Sequence, residues 1–348
     1  MQKLFINGKF LTQSQTGTQR YAKEIVAELD SISKAGELCL LLPMGNWTLP
    51  CYKNIEIRQI PPFKGILWEQ ITFPLFVLLH KGISLNLSNV APILKPDFVT
   101  IHDTKIKSHP DYYGWKFRNW YRFLYANQIK RCKTIFTVSN NAKQCLLYYY
   151  PKAGSEKIIV TYDSWQHIDK IIYDELALVK YCLTSNQYYF AMGSLEPNKN
   201  IRWIAEIAKR NTDFMFVVAG SLNTKVFTEG LGFECPVNMK LLGFITDGEA
   251  KALMRNAKAF LFPSICEGFG MPPLEALSAG CPRVILSDSP VMHEIFEGNA
   301  IYVNPFKYDY NLEELLEKSE CDVKSVLDKF SWKKSAEIIY SIISSPIS

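Results

Sequence analysis

The chain has 348 residues, 48% of them hydrophobic, and a formal net charge of +5, enough apolar content for a large core and enough length for two domains. Its first residues, MQKLFINGKF, hold no apolar core of signal-peptide length, and the apolar stretch 71–79 is too short to cross a bilayer, so neither a secretory nor a membrane-spanning segment is expected. The charge is unevenly divided: residues 1–165 carry 21 Lys/Arg against 11 Asp/Glu (+10) and the remainder 18 against 23 (−5), which suits the first half to an anionic partner such as a lipid surface or nucleic acid.

In chain order, short apolar or β-branched runs alternate with periodic stretches. KLFING is followed by residues 17–29, GTQRYAKEIVAEL, where Tyr21, Ile25, Val26 and Leu29 share one helical face. ELCLLLP, ISLNLSN, DFVTIHD and TIFTVS are further strand candidates, and the order of elements is that of a parallel α/β sheet. Residues 112–133, YYGWKFRNWYRFLYANQIKRCK, interleave aromatics with basic groups; as a helix they turn Trp120, Phe123 and Leu124 inward and their bases outward. That face is either solvated or a meeting place for anionic lipid headgroups. Ser139 in TVSNNAK reads as a helix N-cap. Residues 164–185 are polar, without a clear strand, and are expected to link two halves. A second series follows in YYFAMGS, DFMFVVAGS, MKLLGF, KAFLFPS, PRVILSD and AIYVNP, with helices over 201–210 and 248–256. Two Rossmann-like units are the simplest architecture. The nine cysteines are scattered, as reduced thiols in a cytoplasm are, and no metal-ligand spacing occurs.

Residues 266–280, CEGFGMPPLEALSAG, place Glu267 and Glu275 on either side of a glycine turn. A strand over 259–264 and a helix over 274–279, with Pro272 and Pro273 in its first turn, put that turn at the carboxyl end of a strand, where open α/β sheets bind ligands. Gly268 and Gly270 let a ligand reach backbone N–H groups, and a helix N-terminus favours an anion. Glu275, expected in the first helical turn, can accept from a pair of sugar hydroxyls, and Glu267 from a second polyol. The competing reading is a glycine turn with glutamates that complement the helix dipole.

The segment FPSICEGFGMPPLEALSAGCPRV resembles the Glu-(seven residues)-Glu signature of retaining GT-B glycosyltransferases of glycosyltransferase family 4. FINGKFLTQSQTGTQRYAKEI, IHDTKIKSHPDYY, IFTVSNNAK, GSLEPNKN, LLGFITDGEAKALMRNAKAFLFPS and FSWKKSAE resemble, in order, segments of its members that assemble O-antigen, capsule and exopolysaccharide. The resemblance implies an α/β GT-B fold, two Rossmann-like domains facing a central cleft: 1–165 on the acceptor side, 166–330 comprising the linker and the nucleotide-sugar domain, and a helix in 331–348 crossing back to the first. It further implies that Glu275 binds the ribose, that Glu267 and His102 contact the transferred sugar, and that Lys199 neutralises the donor diphosphate. Gly17, Ser194 and the backbone of Gly268, Phe269, Gly270 and Met271 would line the donor site. Members carry an arginine where this chain has Ser194 or Asn198, which leaves one fixed cation fewer.

Each position has a plainer reading: His102-Asp103 as a hydrogen-bonded turn, Lys199 as a solvated lysine, the Gly17 turn as a helix entry. Together the motifs favour a metal-independent hexosyltransferase with no cofactor, a nucleotide sugar as donor, and a glycan or lipid-linked glycan as acceptor. It would be cytoplasmic, peripheral at the inner face of an anionic membrane, and without a nucleic-acid partner. A sugar-nucleotide epimerase or a non-catalytic carbohydrate-binding scaffold are the alternatives.

Overall fold

A computed structural model describes residues 3–194, 196–220, 234–317 and 320–345; Leu195 of GSLEPNKN and residues 346–348 of the last expected helix lie outside them. The chain divides into two compact units, Met1–Asp163 with Ser331–Ser348, and Ser164–Phe330.

In the first unit β1 (Leu4–Asn7), β2 (Leu38–Pro43), β3 (Glu56–Ile60), β4 (Ile83–Asn86), β5 (Phe98–Thr100), β6 (Thr134–Thr137) and β7 (Ile158–Val160) form one parallel sheet in the order β3-β2-β1-β4-β5-β6-β7. The central strands are buried along their whole length, as helices on both faces of a parallel sheet require. Helix Gly17–Ile32 buries Tyr21, Ile25, Val26 and Leu29, as its spacing predicts. Helix Trp332–Ile343 packs against it: the Trp332 and Tyr21 rings lie 5.9 Å apart, Ser335 Oγ donates to the Tyr162 carbonyl (2.8 Å) and Tyr340 donates to Glu37 (2.6 Å). Helix Trp115–Arg131 departs from expectation in its facing. Leu124, Tyr125, Gln128 and Ile129 are buried, whereas Phe123 is 52% exposed, because the buried stripe starts one residue later and runs toward the helix C-terminus. Ser139 caps helix Asn140–Tyr149, accepting from the Ala142 N–H.

In the second unit β8 (Tyr188–Met192), β9 (Met215–Ala219), β10 (Met239–Gly243), β11 (Ala259–Phe262), β12 (Val284–Ser287) and β13 (Ile301–Val303) form a second parallel sheet, in the order β10-β9-β8-β11-β12-β13. Trp203 of helix Ile201–Ala208 sits in the core beside Tyr189 and Phe216. The segment expected to be a linker is instead folded onto this unit: a 3-10 helix, Gln166–Lys170, is held as Trp165 Nε1 donates to the Leu327 carbonyl and Gln166 Nε2 to that of Phe330, both at 2.9 Å. Hydrogen bonds to remote carbonyls leave no periodic signal in a sequence.

Both sheets reverse strand order beside their first strand, at β1/β4 and at β8/β11. The carboxyl ends of such strand pairs leave a crevice between diverging connections.

Candidate functional site

At the β8/β11 reversal, two loops are laced together. The Ile265 N–H donates to the Asn198 carbonyl (2.8 Å) and Asn198 Nδ2 to the Cys266 carbonyl (3.4 Å). Asn200, in a left-handed conformation at φ 54°, donates through Nδ2 to the carbonyls of Pro263 (3.3 Å) and Pro305 (2.8 Å). Held between these asparagines, Lys199 sends Nζ to Glu267 Oε1 at 2.5 Å and stands 4.9 Å from the Phe262 ring centroid. Both side chains are largely buried, with 16% and 9% exposure. The stem of Lys199 runs past Gly193, where a Cβ would come within 3.4 Å of its Cδ. Ser194, half-buried, follows directly. Asn198 is therefore a buried brace between the loops.

Beyond Glu267 the glycine turn leads into helix Met271–Ala279, with Pro272 and Pro273 in its first turn. Gly270 adopts φ 104°, and a Cβ there would lie 2.6 Å from Met292 Cε, so only glycine fits. The Phe269 side chain is buried edge-on against Phe330, with centroids 5.3 Å apart. Glu275 is not in the first turn as expected. The helix begins at Met271, and Pro272 and Pro273 stand in its first turn as expected. Glu275 is thus its fifth residue, 8% exposed, and its Oε1 lies 2.9 Å from Nε2 of buried His167. Sequence reasoning missed His167, whose one signal was a histidine in a polar stretch.

The remaining expected site residues belong to the first unit. Gly17 is exposed and opens helix Gly17–Ile32, while the Thr16 N–H donates to Gln19 Oε1 (3.2 Å). His102 follows β5, buried edge-on against Tyr21 at 4.8 Å. Its Nε2 donates to the Leu87 carbonyl (3.0 Å), which leaves Nδ1 as the bare nitrogen. The hydrogen bond is to Leu87, not to Asp103, which instead accepts from the Lys105 N–H (3.0 Å). Burial lowers the His102 pKa to about 4, so the ring is neutral.

This burial predicts a pH dependence. The unfolded chain takes up a proton at His102 below about pH 6.5, whereas the folded chain does so only near pH 4. The stability contributed is complete above the unfolded pKa and lost as pH falls through this window, about 3 kcal/mol in all. Replacing His102 with Gln is expected to flatten the slope of unfolding free energy against pH by up to one proton over that window. Equal slopes in denaturant titrations of the two proteins would contradict it.

The β1/β4 reversal holds a cavity of about 100 Å³ lined by Asn7, Lys9, Gln19, Glu69, Ser88 and Asn89, among others. Lys9 Nζ lies 2.8 Å from Glu69 Oε2, Asn7 Nδ2 donates to Asn86 Oδ1 (3.1 Å), and Ser88 Oγ is buried without a protein partner. Burial pushes the Glu69 carboxyl above its usual pKa, and the Lys9 ammonium opposes that. Sequence reasoning named none of these residues, although NGK and LSN stand at the ends of the strands that flank the reversal. Among the described residues no group of three or more His, Cys, Asp or Glu is placed to hold a metal.

A family described as glycosyl transferases group 1 matches residues 183–322. The O-antigen chain mannosyltransferase RfbU of Salmonella typhimurium is 32% identical over 322 residues, 87% of each chain. O-antigen chain mannosyltransferase B of Escherichia coli is 26% identical over 255 residues, 68% of this chain and 62% of that one. Among solved structures, sucrose-phosphate synthase of Thermosynechococcus elongatus superposes with a TM-score of 0.67 at 12% identity, over 99% of this chain and 96% of that one. Anabaena HepE, in complex with UDP-glucose, does so with a TM-score of 0.66 at 13% identity, over 99% and 100%. At such identities the likeness is one of fold, and the fold is that of the GT-B glycosyltransferases.

Proposed function

Because the chain belongs to the group 1 glycosyl transferases, we propose that it is a retaining, metal-independent hexosyltransferase. It moves mannose from a nucleoside diphosphate sugar to a glycan or lipid-linked glycan in cell-surface polysaccharide assembly. The observation that carries this reading is the Lys199–Glu267 pair at the β8/β11 reversal. A diphosphate draws on the Lys199 ammonium, and the sugar hydroxyls take up the carboxylate that Lys199 gives up. Backbone amides of Gly268–Met271 receive phosphate or sugar oxygens, and the Glu275 oxygen not facing His167 receives the ribose.

In the reaction the bond from the anomeric carbon to the diphosphate breaks while one forms, on the same face, to the acceptor oxygen. The acceptor's proton passes to the departing phosphate oxygen, so no side-chain nucleophile is needed. Lys199 stabilises the charge that grows on the leaving group. His102, a neutral ring, contacts the transferred sugar. The polar cavity at β1/β4 suits acceptor hydroxyls. No cofactor or nucleic acid takes part. The chain works in the cytoplasm, at the inner face of the membrane, with Lys116, Arg118, Arg122, Lys130 and Arg131 of helix Trp115–Arg131 toward anionic lipid.

A thermal-shift panel of UDP-, GDP- and dTDP-sugars tests the reading. GDP-mannose is expected to stabilise the chain by roughly 2.7 kcal/mol at 100 times its Kd, and transfer from it to persist in EDTA. Indifference to every donor would overturn the reading, and a strict, reversible divalent requirement would overturn its metal-independent form.

A further inference from the structure

Residues 65–79 form one helical run, Gly65–Leu67, a π-helical turn Trp68–Thr72, and Phe73–Leu79. Its faces are inverted relative to an ordinary surface helix, which turns polar groups to water. Every exposed position is apolar or glycine: Gly65, Ile66, Leu67, Ile71, Leu75, Leu78 and Leu79, the last 81% exposed. The polar residues point inward, Glu69 to Lys9 and Thr72 Oγ1 to the Pro62 carbonyl (2.8 Å). Trp68, Phe73 and Val77 fill the core beneath. The run is about 22 Å long at 1.5 Å per residue, and no helix among the described residues is long and apolar enough to cross a membrane.

The exposed charges on this stretch of chain have one sign. Between Glu56 and Asp97 the sole carboxylate is Glu69, and it is buried. Exposed Lys64 and Lys81 bracket the run. Gln70 Oε1 accepts from the Ile93 N–H (3.0 Å), whose carbonyl accepts from Arg131 (3.0 Å), which brings a third cation to the edge. A second copy of the chain would fit badly. A two-fold pairing of this face sets Lys64 against Lys81 or against itself, like charges in either orientation. An apolar stripe of this width with cations at its margins matches the boundary between acyl chains and anionic headgroups.

We propose that Ile66, Leu67, Ile71, Leu75, Leu78 and Leu79 lie in the headgroup region of an anionic bilayer, with Lys64 and Lys81 on lipid phosphates. This deepens the membrane contact assigned above to helix Trp115–Arg131, and stands independently of sugar transfer. The test is co-sedimentation of the full chain, without nucleotide sugar, with vesicles of phosphatidylcholine plus phosphatidylglycerol and of phosphatidylcholine alone. The wild type is expected to bind the mixed vesicles, less so as salt rises. The L67Q/L75Q/L79Q variant should lose at least about tenfold in partitioning while keeping its melting temperature, and K64Q/K81Q should weaken the preference for phosphatidylglycerol. Undiminished binding of the triple variant overturns the proposal, as does a wild type that ignores both vesicles. So does binding lost only in K116Q/K130Q, which returns the contact to helix Trp115–Arg131. A wild-type dimer that the triple variant makes monomeric would also overturn it, in favour of self-association. Donor thermal shifts, run on the same samples, report separately on the transferase reading.

Discussion

Replacing Lys199 with alanine is expected to lower turnover at saturating donor by about 10²–10³-fold, the usual loss when one preorganised charge or donor is removed from a transition state. The effect belongs in turnover, because the negative charge on the diphosphate grows as the sugar departs, and only interactions stronger at that point raise the rate. The substitution also removes the cation beside Glu267, a carboxylate with 9% exposure, and breaking a buried ion pair from one side destabilises the fold. Combining Lys199→Ala with Glu267→Gln separates the two effects. Stability should recover in the double variant while turnover stays low. A double variant that regains wild-type turnover would mean that Lys199 serves only to neutralise Glu267.

Glu275→Ala is expected to weaken donor binding by roughly 10–100-fold, the loss of one or two charge-assisted hydrogen bonds. Sequence alone suggests that the fold would not feel this change. The structure says otherwise, since His167, 2% exposed, faces Glu275 Oε1 at 2.9 Å, and taking one hydrogen bond from a buried ring costs about 0.5–1.5 kcal/mol. His167→Ala should therefore repeat the loss of stability and, by freeing the carboxylate to turn, a smaller part of the loss in affinity. Equal donor affinity of Glu275→Ala and wild type by calorimetry would rule out the ribose role.

The sheets are largely legible in the sequence. All eleven runs read as strands are strands; nine of them are central in a parallel sheet, buried on both faces and so read as unbroken apolar stretches. The two strands not read, β3 and β7, are the edges of the first sheet, one of mixed polarity (EIRQI) and one of three residues (IIV). Neither carries the apolar run that makes the edges of the second sheet, β10 and β13, legible. In the site, the spacing of Glu267 and Glu275 and the need for glycine at 270 were readable, since both are local. Unreadable were the Lys199–Glu267 and His167–Glu275 pairs, 68 and 108 residues apart in sequence. The same holds for the inverted face of residues 65–79, where composition alone looks like a short core helix.

The return of helix Trp332–Ile343 to the first unit also orders events at the ribosome. Trp332, Ala336, Ile339 and Ile343 are buried in that unit, yet they are translated only after the whole of Ser164–Phe330. At about 5–20 residues per second, the nascent first unit waits on the order of ten seconds or more while Ser164–Phe330 is made, with the Tyr21 side of helix Gly17–Ile32 uncovered. An apolar face open for that long is a natural target for chaperones that bind emerging chains, and the final helix then acts as the latch that displaces them.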